Sequence, residues 1–141
     1  MPSQSAHWTS RLMPWRAPID ENAVQSARAA VAHLKPAVVV TGGSRGIGLA
    51  LAKRFIEAGH PTVIVARNSL NLTEAVAASK AATGVEPISI LCDVTEPNAA
   101  DVISSALAGA NLYLDVLVNN AAMGLAGPFL EQTPQEISRL V

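Results

Sequence analysis

The chain has 141 residues, half of them apolar and 15% charged, with ten basic and eleven acidic side chains for a formal net charge of −1. That length suits one modest domain. The charge balance offers no basic footprint for nucleic acid or an anionic membrane, and no apolar run nears the ~20 residues that span a bilayer.

Residues 1–18 contain Arg11, Arg16, Pro2, Pro14 and Pro18 and no acid. They lack the apolar core of a secretory signal and read as a disordered tail. Trp8 and Trp15 stand out in it as groups able to dock on the domain or on a partner. From Asp20 to Leu34 the sequence predicts a helix: Asp20 is placed to cap it, and Ala23, Val24, Ala27, Ala30, Val31 and Leu34 recur at helical spacing. Lys35 suits its carboxyl end and Pro36 stops it. The small alanine-rich face is expected to pack on the domain. The predicted division is therefore 1–35, tail and helix, and 36–141, the main domain.

The chain is organised around Val38 to Gly48, VVVTGGSRGIG. A β-branched run breaks into a glycine-rich turn, and a helix from Gly46 to Ala58 follows at once. Strand, glycine turn and helix in that order form a phosphate-binding element. Amides of the turn and the first helical turn lack internal partners, and they and the helix dipole can receive a pyrophosphate. Gly42 permits a tight turn, while Gly46 and Gly48 leave room for a ligand and for close packing of helix on strand. Ile47, Leu51, Phe55 and Ile56 are the expected buried face of the helix, with Gly59 as its stop.

Thr62 to Ala66 is a second strand, apolar on both faces as a strand between helices is. A dinucleotide site with a free ribose 2′-hydroxyl usually places an acid ~20 residues past the glycines. Here His60 to Thr73 contains no Asp or Glu, Arg67 directly follows the strand, and Arg45 lies in the glycine turn. Two guanidinium groups suit a 2′-phosphate, so NADP(H) is preferred over NAD(H). His7, His33 and His60 are scattered without metal-ligand spacing, and no metal site is expected.

Ser69 to Thr83 is a helix ending at Gly84, with Leu70, Ala77 and Ala81 or Leu72, Val76 and Ser79 as its inner face. Pro87 to Leu91 is a third strand. The single cysteine, Cys92, reads as a small buried hydrophobe and suits a reducing, cytoplasmic compartment. Asp93 stands at the strand's carboxyl end, where open α/β sheets bind ligands. It could accept from an adenine amino group or stabilise the turn before Thr95 and Pro97. Thr95 is the expected cap of a helix over 96–108. Leu114 to Val118 is a fourth strand, followed by Asn119 and Asn120. Thr133, Pro134 and Glu136 form a helix start of cap, proline and glutamate.

TGGSRGIG resembles the cofactor turn TGxxxGIG of the short-chain dehydrogenase/reductase family, and Asn119 to Ala122 resembles its NNAG motif, with Ala122 where glycine is usual. The resemblance covers most of 36–141. It implies a Rossmann-type, doubly wound parallel α/β sheet carrying an N-terminal helical extension. It also implies an oxidoreductase moving hydride between NADP(H) and a carbonyl/alcohol substrate. The cofactor-binding residues it implies are Thr41, Gly42, Ser44, Arg45, Gly46, Ile47, Gly48, Arg67, Asp93, Val94 and Asn120. Among them Asp93 and Val94 would hold the adenine and Asn120 the ribose, with Asn119 tying the sheet.

The family's catalytic Asn, Ser, and Tyr with a Lys four residues on would all lie past Val141. Tyr113 is the one tyrosine, and Leu117 lies four residues on. In strand order 3-2-1-4 the apolar fourth strand would be an open edge, and the last helix has about two turns, so the sheet is expected to be incomplete, with about four strands. The alternative to the enzyme part is a non-catalytic dinucleotide-binding module or truncated remnant. A homo-oligomer is the family's habit if a longer chain exists.

Overall fold

The computed structural model describes residues 20–124 and 127–138; the expected tail with Trp8 and Trp15 lies outside them. The chain divides into two compact units between His33 and Leu34. In the first, helix α1 spans Glu21–Val31, and Asp20 caps it by accepting from the amides of Asn22 and Ala23. None of its residues is buried. The helix stops short of Leu34, because Lys35 and Pro36 open a strand instead: the Lys35 amide donates to the Asn111 carbonyl at 3.0 Å. A proline is tolerated at such a strand start.

The second unit is built on a four-stranded parallel sheet in the order β3-β2-β1-β4. Its strands are β1 (Lys35–Thr41), β2 (Thr62–Ala66), β3 (Ile88–Leu91) and β4 (Leu112–Val118). Helices α2 (Gly46–Glu57), α3 (Ser69–Thr83) and α4 (Ala99–Gly109) join them. Side chains alternate across a strand. Ala37, Val39, Val63, Val65 and Ile90 therefore pack with Leu107 of α4, while Val38, Val40, Ile64 and Ala66 pack with Ala52 of α2 and Leu72 of α3. With helices on both faces this is a Rossmann-type doubly wound sheet, and the centres of β1 and β2, Ala37 to Val40 and Val63 to Ala66, are continuously apolar because both faces are covered.

Within this frame several local expectations shift. The buried stripe of α2 is Gly48, Ala52 and Ile56, with Leu49 and Phe55 at its margins. Ile47 is 75% exposed and Leu51 also faces out. The stripe turns this way because Gly48 must meet the glycine turn, as described below. On α3 the inner face is Leu72, Ala75 and Ser79, and Leu70 is exposed. Asn68 caps that helix, and Gly84 ends it in the left-handed conformation. Thr95 does not cap α4, which begins after Asn98; it sits in a tight turn held by Asp93.

Strand β4 starts two residues earlier than expected, so Tyr113 lies inside it, opposite Pro36. Ala37 pairs with Leu114 and Val38 with Val116, which leaves Asp115 as an extra residue, a β-bulge. As the sheet edge, β4 exposes Leu114, Val116 and Leu117. A 3-10 turn (Phe129–Glu131) and a short helix α5 (Pro134–Ser138) follow. Thr133 and Glu136 form a reciprocal capping box: the Thr133 amide and hydroxyl donate to Glu136 Oε2, and the Glu136 amide donates back to Thr133 Oγ1.

Candidate functional site

Chain order reverses between β1 and β4, so the crevice at their carboxyl ends is the topological switch point where open α/β sheets take ligands. All four strands deliver a candidate residue to that edge: Thr41 from β1, Arg67 after β2, Asp93 after β3 and Asn120 after β4.

Thr41 is the hub. Its hydroxyl donates to the Val118 carbonyl (3.2 Å) and accepts from the amides of Asn120 and Ala121 (3.1 Å each). Asn120 Nδ2 in turn donates to the carbonyls of Thr41 (3.0 Å) and Gly42 (3.2 Å). The sheet tie expected of Asn119 is thus made by Asn120, and Asn119 is exposed. With both amide hydrogens committed to the turn, Asn120 keeps Oδ1 as its acceptor.

The glycines divide the work. A Cβ on Gly48 would collide with Asn120 Nδ2 and the Gly42 carbonyl, and one on Gly42 would come within 2.9 Å of Ala121 Cα. Both positions stay bare so that α2 and the end of β4 can close on the turn. Gly46 differs. Its φ of +57° is a left-handed conformation, yet a Cβ there would meet nothing within 4 Å. The space over Gly46 is open, and the backbone can be approached there.

Helix α2 begins uncapped by any side chain. Arg45, extended at the N-cap, makes no side-chain cap bond, and the first turn holds no acid. The leading amides and the dipole therefore face outward without an anion of their own. Arg45 and Ile47 are exposed beside them and Ser44 is half-buried in the turn. The Gly43 amide anchors the turn to β2 through the Val65 carbonyl at 3.3 Å.

After β3, at the far side of this edge, Asp93 Oδ1 accepts from the Thr95 amide (3.0 Å) and hydroxyl (2.8 Å), so the turn-stabilising reading of this residue describes one of its oxygens. The other oxygen, Oδ2, lies 3.8 Å from Arg67 Nη1. The two Thr95 bonds, and more weakly the Arg67 charge, hold the Asp93 carboxyl below the usual carboxylate range. The Cys92 amide donates to the Ala66 carbonyl at 3.0 Å and locks the two strand ends together. Val94, beside Asp93, is exposed. The Thr41 hub and the Arg67–Asp93 contact escaped sequence reasoning. The available signal was that Arg67 and Asp93 each closely follow a strand, and that those two strands are neighbours in a doubly wound order.

The family model described as short chain dehydrogenase matches residues 36–141. The chain belongs to the short-chain dehydrogenase family. It is similar to 3-dehydrosphinganine reductase TSC10B of Arabidopsis thaliana, with 36% identity over 104 residues covering 74% of this chain and 30% of that protein. Among solved structures it is similar to a short-chain dehydrogenase from Sphingobium yanoikuyae in complex with NADPH, at TM-score 0.60 and 36% identity, covering 74% of this chain and 41% of that one. It is also similar to L-sorbose reductase from Gluconobacter frateurii complexed with NADPH and L-sorbose, at TM-score 0.62 and 36% identity, covering 72% and 38%. The chain spans about a third of the length of the curated relatives it matches. The strand order and the glycine turn after β1 are those of a doubly wound α/β sheet of the dinucleotide-binding type. Among the described residues no helix is long and apolar enough to cross a membrane.

Proposed function

We propose that this chain is the dinucleotide-binding part of an NADP(H)-dependent oxidoreductase acting on a carbonyl/alcohol substrate. The observation that carries the NADP(H) preference is the charge at the crevice. Arg45 and Arg67 flank it, and no acid occurs between His60 and Thr73, where a 2′-hydroxyl acceptor would stand. The NADPH complexes of the two similar structures support the same reading.

In this reading the uncapped amides from Gly46 to Gly48 receive the pyrophosphate over the open face of Gly46. Gly42, Ser44 and Thr41 shape the turn beneath it, and Ile47 screens its outer side. Arg45 and Arg67 take the 2′-phosphate, Asp93 and Val94 the adenine, and Asn120, through Oδ1, the nicotinamide-side ribose. A bound nicotinamide supplies the hydride chemistry; these residues bind and orient it. The cysteine count fits a cytoplasmic setting.

The test is a fluorescence titration of the chain with NADPH and NADH, repeated on Arg67→Asp. The NADPH affinity should fall at least about tenfold relative to NADH, since one bidentate arginine–phosphate contact is lost and a repulsive charge gained. An unchanged ratio contradicts the NADP(H) assignment.

A further inference from the structure

Arg67 and Asp93 form an ion pair at the mouth of the crevice, with Nη1 and Oδ2 3.8 Å apart and side chains 67% and 31% exposed. The two partners are not equally free. Asp93 is pinned, because Oδ1 accepts from both the amide and the hydroxyl of Thr95, and the adjoining Cys92 amide is bonded to the Ala66 carbonyl. Among the described residues Arg67 is held by this one contact, long and single. The carboxylate is fixed, and the guanidinium is the part that can leave.

We infer that Asp93 is a positioning residue acting through Arg67: it docks the guanidinium in the empty site and competes for it with a ribose 2′-phosphate, so it tempers the preference for the phosphorylated dinucleotide. The inference rests on the NADP(H) reading above. A phosphate monoester carries about −1.5 to −2 charge and three acceptor oxygens, and it offers Arg67 a bidentate partner where Asp93 offers a single long contact. The phosphate therefore wins the arginine. Arg67 must still be drawn off a carboxylate, and that carboxylate then stands uncompensated near the incoming dianion. A ribose with a free 2′-hydroxyl makes no such demand and leaves the pair intact. Asp93 thus narrows the gap between the two dinucleotides that Arg45 and Arg67 would set alone.

Preorganisation works in the opposite direction, since a docked arginine has less freedom to lose. At this exposure the pair is worth no more than about a fivefold effect in either direction. The contact is too long to confer much order, while charge acts at that range, so the competitive effect is the larger.

The test uses the full chain and two probes, adenosine 5′-monophosphate and adenosine 2′,5′-bisphosphate, titrated calorimetrically. The quantity read is the ratio of their dissociation constants, which isolates the 2′-phosphate. A loss of adenine contact on mutating Asp93 weakens both probes alike and cancels. In the wild type the bisphosphate should bind more tightly. In Asp93→Asn, which keeps an oxygen for Thr95, the ratio should rise by about two- to fivefold. In the Arg67→Ala background the same change should move it less than about twofold. Asp93→Ser is the second variant should the first fail to fold. A wild-type ratio near one overturns the NADP(H) reading and this inference with it. A high wild-type ratio that Asp93→Asn leaves unchanged or lowers overturns this inference alone. An equal rise with and without Arg67 also overturns it, because the effect would then not pass through the arginine.

Discussion

Strands β1 and β4 lie side by side and are almost equally apolar, KPAVVVT against LYLDVLV, yet they meet opposite fates. Five consecutive residues of β1 are buried, whereas β4 buries Leu112 and leaves Leu114, Val116 and Leu117 partly in water. Hydrophobicity qualifies a residue for burial, but the place of its strand in the sheet decides whether burial happens. β1 has a strand on each flank and helices on both faces. Among the described residues β4 has a neighbour on one flank only, and its bulge at Asp115 sends Leu114 and Val116 to opposite faces. The candidate site opens where these two strands part, with the buried end of β1 on one side and, on the other, the end of β4 tied to it by Thr41 and Asn120.

The contrast is sharpest in the core. Val39, with no exposed surface, and Leu117, its partner in register and 47% exposed, sit side by side. Val39→Ala should cost about 2–3 kcal/mol in urea unfolding, as lost transfer energy plus a cavity. Leu117→Ala should cost about 1 kcal/mol or less, although it removes more atoms. Equal losses would show that a strand's place in the sheet does not set the cost of truncating its side chains.

Next in size is the bond network joining the two strands. Thr41→Val keeps the shape of the side chain but strips the acceptor from the Asn120 and Ala121 amides and the donor from the Val118 carbonyl. A loss of about 2 kcal/mol is expected, together with weaker dinucleotide binding from a loosened turn. Unchanged stability and binding would show that the hub is incidental.

The smallest effect on stability belongs to the edge. Asp115 is exposed and provides the one charge of β4. Asp115→Val should shift stability by no more than about 0.5 kcal/mol, while light scattering should show more self-association, since an unguarded apolar edge invites pairing.

Much of this fold was legible because its punctuation is local. Thr62 to Ala66 is a β-branched run ending at Arg67, and Ser69 to Thr83 ends at a glycine that takes the left-handed cap, so both elements were read with the bounds the structure has. The capping box at Thr133 is likewise a matter of three residues. What was not legible depends on partners distant in the chain. The facing of Ile47 is settled by Gly48 meeting Asn120, and the division of labour between Asn119 and Asn120 by a turn some eighty residues earlier. Leu112 and Tyr113 join β4 because β1 begins at Lys35. Thr95 looked like a helix cap, but Asp93 offered it a closer acceptor. Of the candidate site, the glycine turn with Arg45 and the place of Arg67 directly after β2 can be read from the string, whereas the pairing of Arg67 with Asp93 exists only once β2 and β3 are side by side.

We propose that a dinucleotide binds at the carboxyl edge, across the ends of all four strands. The most direct test is to follow backbone amide chemical shifts of the chain as NADPH is added. The largest changes should fall on Gly46, Ile47, Gly48, Arg67, Asp93 and Asn120, with His60, Val85 and Glu86 at the opposite end of the sheet unmoved. Saturable shifts confined to that opposite end, or none at millimolar NADPH, would contradict the account.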